Sequence, residues 1–139
     1  MTYVLRLAAR DDEDLKIMSA HMQDALVRFS DLRYLPKTRQ FVLVANRFAW
    51  ELQPSSERRR AGMHFEHVLA VKQQGFAGLD RGDILSLLSV TFEDGKSPAG
   101  TITLTFSAGR SIKLQVEYID VQLKDLGGAW ATDHTPRHD

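Results

Sequence analysis

The most constraining feature of the chain is a strict alternation of apolar and polar residues between positions 101 and 116. Two runs show it, separated by Ala108 and Gly109, with threonine, serine, lysine or glutamine at the intervening positions. The apolar members are Ile102, Leu104, Phe106, Ile112, Leu114 and Val116. A period of two is typical of a strand with one buried face, and a two-residue turn between such runs predicts an antiparallel hairpin.

Five further segments are rich in alternating apolar, aromatic or β-branched residues, which makes seven predicted strands in all. These segments cover residues 3–8, 25–29, 40–50, 63–71 and 84–92. The second and third of them are interpreted as a hairpin whose turn contains Leu35-Pro36-Lys37. The chain is therefore expected to be built mainly from antiparallel strands.

Two segments have helical spacing instead. Asp11 is a favourable N-cap for a helix near Asp12 to Gln23. The apolar residues of that helix are Leu15, Met18 and Met22. After Tyr118 the apolar residues again follow helical intervals, and Gly127-Gly128 favour a left-handed helix terminus, which predicts a short C-terminal helix.

These elements predict an α+β fold, mainly antiparallel β, with about seven strands in a bent sheet or a partly closed barrel. One helix follows the first strand, and the C-terminal helix would plug one open end, as in pleckstrin-homology-like barrels. That analogy concerns architecture alone. The chain of 139 residues suits one hydrophobic core, so we expect a single globular domain over residues 1–132 and a polar tail over residues 133–139.

Composition excludes several classes of protein. The chain has no cysteine, which rules out disulfides, thiolate metal sites and a cysteine nucleophile. Its 18 basic and 18 acidic residues give a formal net charge of zero, which argues against a dedicated nucleic-acid binder. No stretch reaches the roughly 20 apolar residues that span a bilayer, and residues 1–10 carry no export-signal pattern. The expectation is a cytoplasmic protein that does not enter a membrane.

Four strings of residues resemble an uncharacterised alphaproteobacterial family, domain of unknown function 2948. The strings are Tyr34-Leu35-Pro36-Lys37, Asn46-Arg47-Phe48-Ala49-Trp50-Glu51, Arg58-Arg59-Arg60-Ala61-Gly62 and Asp125-Leu126-Gly127-Gly128-Ala129-Trp130. The resemblance covers nearly the whole chain and implies a single-domain, cytoplasmic bacterial protein. It implies no activity, cofactor or catalytic residue.

The sequence predicts no catalytic residue, no metal site and no cofactor. His64 and His67 are zinc-binding residue types, but a spacing of three along a strand directs their rings to opposite faces. No GxSxG or SxxK nucleophile motif occurs. The glycine-rich segment 75–82 lacks both the P-loop lysine and the dinucleotide-binding pattern, and it is interpreted as a turn.

The strongest local feature is the run Arg58-Arg59-Arg60. Residues 51–60 are polar and contain Pro54, so the segment is interpreted as an exposed loop. Arginine offers a planar fork of donors that suits phosphates and carboxylates. The alternative is a solvated loop whose arginines form weak surface ion pairs with nearby glutamates.

If the flanking strands pair, Arg47 and Lys72 would lie near this loop, and Trp50 would add a stacking surface. The candidate partner-binding or anion-binding residues are Arg47, Trp50, Arg58, Arg59, Arg60 and Lys72. The leading hypothesis is a non-catalytic module that binds a protein partner or a small anionic ligand through the loop. The competing hypothesis is a small enzyme or a metabolite-binding protein with a pocket assembled from separate strands. Free strand edges would also permit a homodimer.

Overall fold

The computed structural model describes residues 4–54 and 56–131, and for residues 128–131 it describes the backbone alone. Within these residues the chain forms ten β-strands, one α-helix and two short 3-10 helices. The strands are β1 (Arg6–Ala9), β2 (Ala25–Arg28), β3 (Leu32–Leu35), β4 (Gln40–Phe48), β5 (Glu57–Phe65), β6 (Val68–Gln74), β7 (Ile84–Asp94), β8 (Gly100–Phe106), β9 (Arg110–Val116) and β10 (Val121–Ala131). The helix α1 is Asp12–Met22, and the 3-10 helices are Phe29–Asp31 and Trp50–Leu52. The predicted tail, residues 133–139, lies outside the described residues.

The strands form one antiparallel sheet in the order β1-β10-β5-β4-β2-β7-β8-β9-β6, and β3 also pairs with β4. β4 is long enough to hold both neighbours on one edge, because β3 pairs along Gln40–Leu43 and β2 meets the strand at Asn46. Among the described residues no ladder joins the two end strands, β1 and β6. The mainly antiparallel architecture is confirmed, and the sheet is not a closed barrel.

The hairpin that the alternating pattern predicts is confirmed. β8 pairs with β9 from Gly100 opposite Val116 to Phe106 opposite Arg110. Because Phe106 lies opposite Arg110, residues 107–109 form the turn, in which Ala108 and Gly109 both have positive φ, 62° and 72°. The apolar residues of both strands are buried, so this hairpin supplies one wall of the core.

The helix after the first strand is also confirmed. Asp11 caps it, because the Asp11 carboxylate accepts a hydrogen bond of 2.8 Å from the Asp14 N–H. Leu15, Met18 and Met22 are fully buried and pack into the core beneath the sheet. Among the described residues, no helix is long and apolar enough to cross a membrane.

The prediction of about seven strands is wrong, because three more are present. A short strand, β3, lies between the two segments interpreted as one hairpin. The single strand predicted over residues 63–71 is two strands, β5 and β6, because the backbone turns at His67, whose φ is +58°. Histidine tolerates this left-handed conformation better than most residues.

The predicted C-terminal helix is wrong, since Val121–Ala131 is the third additional strand, β10. It pairs with β1 on one side and β5 on the other. The register against β5 shifts between Asp125 and Ala129, and Gly127 has a φ of +95° there. Gly127 therefore takes part in a β-bulge rather than a helix terminus, because glycine readily adopts the positive φ that either structure can contain.

Candidate functional site

The arginine run lies in a strand and not in an exposed loop. Glu57–Phe65 is β5, which pairs with β4 on one side and β10 on the other. Successive side chains of a strand point to opposite faces, so Arg59 faces the core while Arg60 faces outward. The loop interpretation of residues 51–60 is therefore wrong from Glu57 onward. The strand was not recognised because Arg59, a charged residue, occupies an inward position and interrupts the alternation of apolar and polar residues.

The inward arginines belong to a buried charged cluster that contains Arg47, Arg59, Glu51, Glu57 and Asp125. Arg47 is 0% exposed, and Asp125 is 4% exposed. Arg47 donates from Nε to Asp125 Oδ1 at 2.8 Å and from Nη2 to Asp125 Oδ2 at 2.9 Å. It also donates from Nη1 and Nη2 to the two carboxylate oxygens of Glu51, both at 2.9 Å. One guanidinium thus binds two carboxylates, each in a bidentate arrangement.

Arg59 adds a second cation to the cluster. Its Nε and Nη2 both lie 2.8 Å from Glu57 Oε2, and its Nη1 lies 3.7 Å from Asp125 Oδ2. The same Asp125 oxygen accepts the backbone N–H of Leu5 at 3.0 Å. The buried charged cluster therefore links the residue that precedes β1 to β4, β5, β10 and the second 3-10 helix.

The cluster shifts the pKa values of its members. Burial alone would raise the pKa of Asp125, but hydrogen bonds from Arg47 and from the Leu5 N–H outweigh it and hold that pKa below its usual range. Burial would likewise raise the pKa of Glu51, but the hydrogen bonds from Arg47 outweigh burial and lower that pKa. For Arg47, burial lowers the pKa, and hydrogen bonds to Asp125 and Glu51 more than compensate and raise it. All three groups are charged at neutral pH, and the donors of Arg47 are already occupied.

Of the remaining predicted residues, Arg58 and Trp50 both pack against the Phe48 ring, whereas Lys72 lies apart from them. Arg58 donates to the Asn46 carbonyl at 3.0 Å and lies over the Phe48 ring, and burial lowers its pKa. The Trp50 Nε1–H donates to the Gln23 carbonyl at 3.0 Å, so the indole anchors the second 3-10 helix to the end of α1. Lys72 is exposed on β6 opposite Lys113, and five strands lie between β5 and β6 in the sheet order.

The outer side of the same sheet region carries exposed cations. In one row across four strands, Val44 lies opposite Gly62, Gly62 opposite Lys124, and Lys124 opposite Arg6. In the next row, Leu26 lies opposite Asn46, and Asn46 opposite Arg60. Arg28 is two residues beyond Leu26 and shares its face. The exposed cations, Arg6, Arg28, Arg60 and Lys124, define what we call the cationic face.

A groove of about 360 Å³ lies on the cationic face where β2, β4 and β5 meet. Its apolar lining is Leu26, Val44, Ala45 and Ile84, and its polar lining is Arg28, Arg60, Asn46 and Asp31. Arg28 and Arg60 are exposed. Within the described part of the chain, neither has a carboxylate within ion-pair distance, in contrast to Arg47 and Arg59. Two guanidinium groups are thus available to a ligand beside an apolar floor.

Arg28 and Asp125 were not predicted from the sequence. Arg28 could have been found from the alternation Ala25-Leu26-Val27-Arg28, which places it on the exposed side of a strand. Asp125 has a weaker signal, because a lone carboxylate among apolar residues marks either a buried ion pair or the polar side of a helix. Because the segment was predicted to be helical, Asp125 was expected on the polar side of a helix.

His64 and His67, the two neighbouring residues of zinc-binding type, lie in different parts of the structure. His64 is exposed on the outer side of β5, and His67 occupies the turn before β6. Among residues 4–54 and 56–131, no group of three or more metal-ligating side chains could hold an ion. His67 instead contacts the Tyr118 hydroxyl, with 2.7 Å between Nε2 and the phenol oxygen.

Comparison with known proteins identifies a family but no relative of known function. A family model described as "Protein of unknown function (DUF2948)" matches residues 5–138. No curated protein matches the chain, and no solved structure matches it.

Proposed function

Because the chain belongs to the DUF2948 family, whose function is unknown, we propose a function from its geometry: a non-catalytic binding module. The groove between Arg28 and Arg60 holds a carboxylate or phosphate group of a partner or small ligand. The observation that carries this proposal is the contrast in ion pairing. Arg47 and Arg59 are held by carboxylates of the chain itself, whereas Arg28 and Arg60 have no such partner among the described residues.

The chemistry of the groove suits an anion attached to an apolar body. A guanidinium binds carboxylate and phosphate oxygens through two parallel hydrogen bonds. The side chains of Leu26, Val44 and Ile84 offer apolar contact beside them, and a few polar groups on an apolar lining are typical of ligand sites. The Asn46 side chain lines the groove as well and supplies both a donor and an acceptor.

The charge distribution supports the same proposal. The whole chain has a formal net charge of zero, yet the groove lining contains two arginines and one carboxylate, Asp31. Lys124 and Arg6 extend the positive charge away from the groove across the neighbouring strands β10 and β1. A local positive potential attracts an anionic partner even when the molecule is neutral overall. Of the residues that the sequence suggested, Arg60 remains in the proposal, and Arg28 joins it.

The experiment measures binding of two probes, inorganic phosphate and a fluorescently labelled octaglutamate peptide. Peptide binding is followed by fluorescence anisotropy, and phosphate binding by NMR shifts of backbone amides. The test variant is Arg28→Gln/Arg60→Gln. The matched control is Lys72→Gln/Lys113→Gln, which also removes two exposed positive charges, but from the other half of the sheet.

We expect the test variant to weaken peptide binding about tenfold or more, since each exposed charge pair contributes up to about 1 kcal/mol. The control should change the affinity less than about twofold, because screening limits interactions between distant surface charges. Equal losses in both variants would show that net charge alone attracts the probes. If neither phosphate nor octaglutamate binds, the groove is not an anion site.

A second candidate function, a small enzyme or metabolite-binding protein, is favoured by one cluster of titratable side chains. The Tyr118 hydroxyl is 2.7 Å from His67 Nε2, and Asp120 Oδ2 is 3.5 Å from the same nitrogen. Arg10 Nε lies 3.6 Å from the other Asp120 oxygen. A hydroxyl, an imidazole and a carboxylate in contact are suited to proton transfer.

Thermal unfolding tests this second candidate against a panel of carboxylate and phosphate metabolites. A ligand that binds the folded protein raises the unfolding temperature. The candidate requires an increase that disappears in His67→Gln and persists in Arg28→Gln/Arg60→Gln. If no metabolite in the panel raises the temperature, the binding-module proposal stands alone.

A further inference from the structure

The open seam between β3 and β6 is a second groove, distinct from the one on the cationic face. β3 pairs with β4 and β6 pairs with β9. Among the described residues, neither strand has a ladder on its other edge. Because the backbone N–H and C=O groups of a strand point alternately to its two sides, each of these edges presents hydrogen-bonding groups without a strand partner.

The two edges are joined at one end of the seam. The Val68 N–H donates to the Arg39 carbonyl at 2.8 Å, and the Tyr34 hydroxyl donates to the Val68 carbonyl at 3.4 Å. These bonds bring β6 close to the hairpin of β3 and β4. Further along, the side chains of β3 and β6 line a groove of about 350 Å³. The sheet therefore curls until its free edges face each other and leaves a gap between them.

The lining of the gap is chemically distinct from the cationic face. Its apolar members are Phe29, Leu32, Tyr34, Phe41, Val71 and Ile112. Its polar members are Ser30, Arg33, Gln73 and Arg81, with no carboxylate. Gln73 lies opposite Ile112, which is buried, yet Gln73 itself is exposed. An inward position that remains exposed is expected where the neighbouring strand is missing.

We infer that this seam accepts an extended peptide segment of a partner protein, which adds as a strand to the free edge of β6. Main-chain hydrogen bonds to an exposed edge supply affinity in such complexes, and pockets for alternate side chains supply specificity. The apolar lining calls for apolar residues at alternate positions of the peptide. Arg33 and Arg81, with no carboxylate in the lining, call for an acidic residue within it.

Charge complementarity favours a partner peptide over a second copy of the chain as the occupant of the seam. The β6 sequence, Val68–Gln74, contains Lys72 and no acidic residue. Two copies paired through β6 would therefore bring no carboxylate to Arg33 or Arg81, and they would leave the apolar groove unfilled. A partner segment with one acidic and several apolar residues satisfies both features.

The test begins with selection of seven-residue peptides from a random display library against the intact protein. The strongest peptide is then titrated into labelled protein and followed by NMR. Two variants probe the seam: Arg33→Gln/Arg81→Gln removes its positive charges, and Val71→Trp fills the groove. Arg28→Gln/Arg60→Gln is the control from the other groove, and circular dichroism verifies that each variant is folded.

The expected result is a set of selected peptides with alternating apolar residues and an acidic residue. Amide shifts should be concentrated in β3 and β6, and amide exchange of β6 should slow on binding. Affinity should fall at least tenfold in Arg33→Gln/Arg81→Gln and remain within twofold in the control. Because the two double variants affect different grooves, failure at the seam is distinguishable from failure of the proposed anion site.

Three results would overturn the inference. The first is a selection that enriches no peptide, or only peptides that bind equally well to both seam variants. The second is a set of peptide shifts around Arg28 and Arg60 instead of β6. The third is a concentration-dependent dimer with protected β6 amides in the absence of peptide, which would show that a second copy occupies the seam.

Discussion

Arg59 and Arg60 are neighbours in sequence and have opposite environments. Arg59 is 6% exposed and is held by Glu57 and Asp125, whereas Arg60 is exposed and lines the groove on the cationic face. Their partners on β4 repeat the contrast, since Arg59 lies opposite the buried Arg47 and Arg60 opposite Asn46. Adjacent arginines of the run therefore belong to two different sites, the buried charged cluster on one face of the sheet and the cationic face on the other.

The direction of a side chain, and not its charge, separates a stabilising role from a binding role in this pair. In the interior, a charge must be paired and hydrogen-bonded, because desolvation is costly. On the surface, water solvates an unpaired guanidinium at little cost, and the group stays available to a ligand. Substitutions on the two faces should accordingly differ in what they change.

The largest expected effect follows from removing the carboxylate shared by the inward arginines. Asp125→Ala deprives Arg47 of one of its two partners and removes the acceptor of the Leu5 N–H. We expect the free energy of unfolding to fall by about 3–5 kcal/mol, as for other broken buried ion pairs. Urea unfolding followed by circular dichroism measures it.

The matched control for this substitution is Asp94→Ala, which removes an exposed carboxylate at the end of β7. Its unfolding free energy should stay within about 0.5 kcal/mol of the original chain. A loss below about 1 kcal/mol for Asp125→Ala would show that the buried charged cluster contributes little to stability.

Acid should produce the next effect, because protonation neutralises the same carboxylates without removing them. The pKa values of Asp125 and Glu51 are lowered in the folded chain, mainly by hydrogen bonds from Arg47 that overcome burial. Their stabilising contribution is complete above the unfolded-state pKa values, about 3.9 and 4.3. It is lost as pH falls through the lower folded-state values.

The free energy of unfolding should therefore decline as pH falls below about 4. In Asp125→Asn/Glu51→Gln this decline should be shallower, because the two titrating groups are gone. Urea unfolding at a series of pH values gives both curves. Parallel curves would mean that other carboxylates account for the acid sensitivity.

A smaller effect should separate the two neighbouring arginines. Arg59→Gln removes charge-assisted hydrogen bonds to Glu57 and should cost about 1.5–3 kcal/mol of unfolding free energy. Arg60→Gln should cost at most about 0.5 kcal/mol, as is usual for surface substitutions. Both are measured by urea unfolding, and equal losses would show that the two faces do not differ in energetic role.

For Arg28→Gln/Arg60→Gln we expect a small effect on stability and a larger effect on binding. The free energy of unfolding should change by less than about 1 kcal/mol, since each residue is exposed. The same variant should lose about tenfold in octaglutamate affinity. Unfolding and anisotropy measured on one preparation would test whether binding and stability separate on this face. A large loss of stability in this variant would show that Arg28 and Arg60 stabilise the fold and do not serve binding alone.

The sequence predicted those elements whose pattern is local. The hairpin of β8 and β9 and the helix α1 were predicted because alternation, turn residues and a capping aspartate all lie within a few residues of one another. β10 was missed because Asp125 interrupts its inward apolar series and because Gly127 suits a bulge as well as a helix end. β5 was missed in its first half because Arg59 stands where an apolar residue is expected.

By itself, the sequence determined a cysteine-free chain of mainly antiparallel strands with one capped helix, and it marked the arginine run as unusual. Only the tertiary structure decided that Arg47 and Arg59 meet Asp125, about 65 or more residues away along the chain. It also decided that Arg28 joins Arg60 across β4 and that β3 faces β6. Pairing between strands that are distant in sequence brings these residues together. The alternation within one strand shows which of its residues share a face, but it does not show which other strand lies beside it.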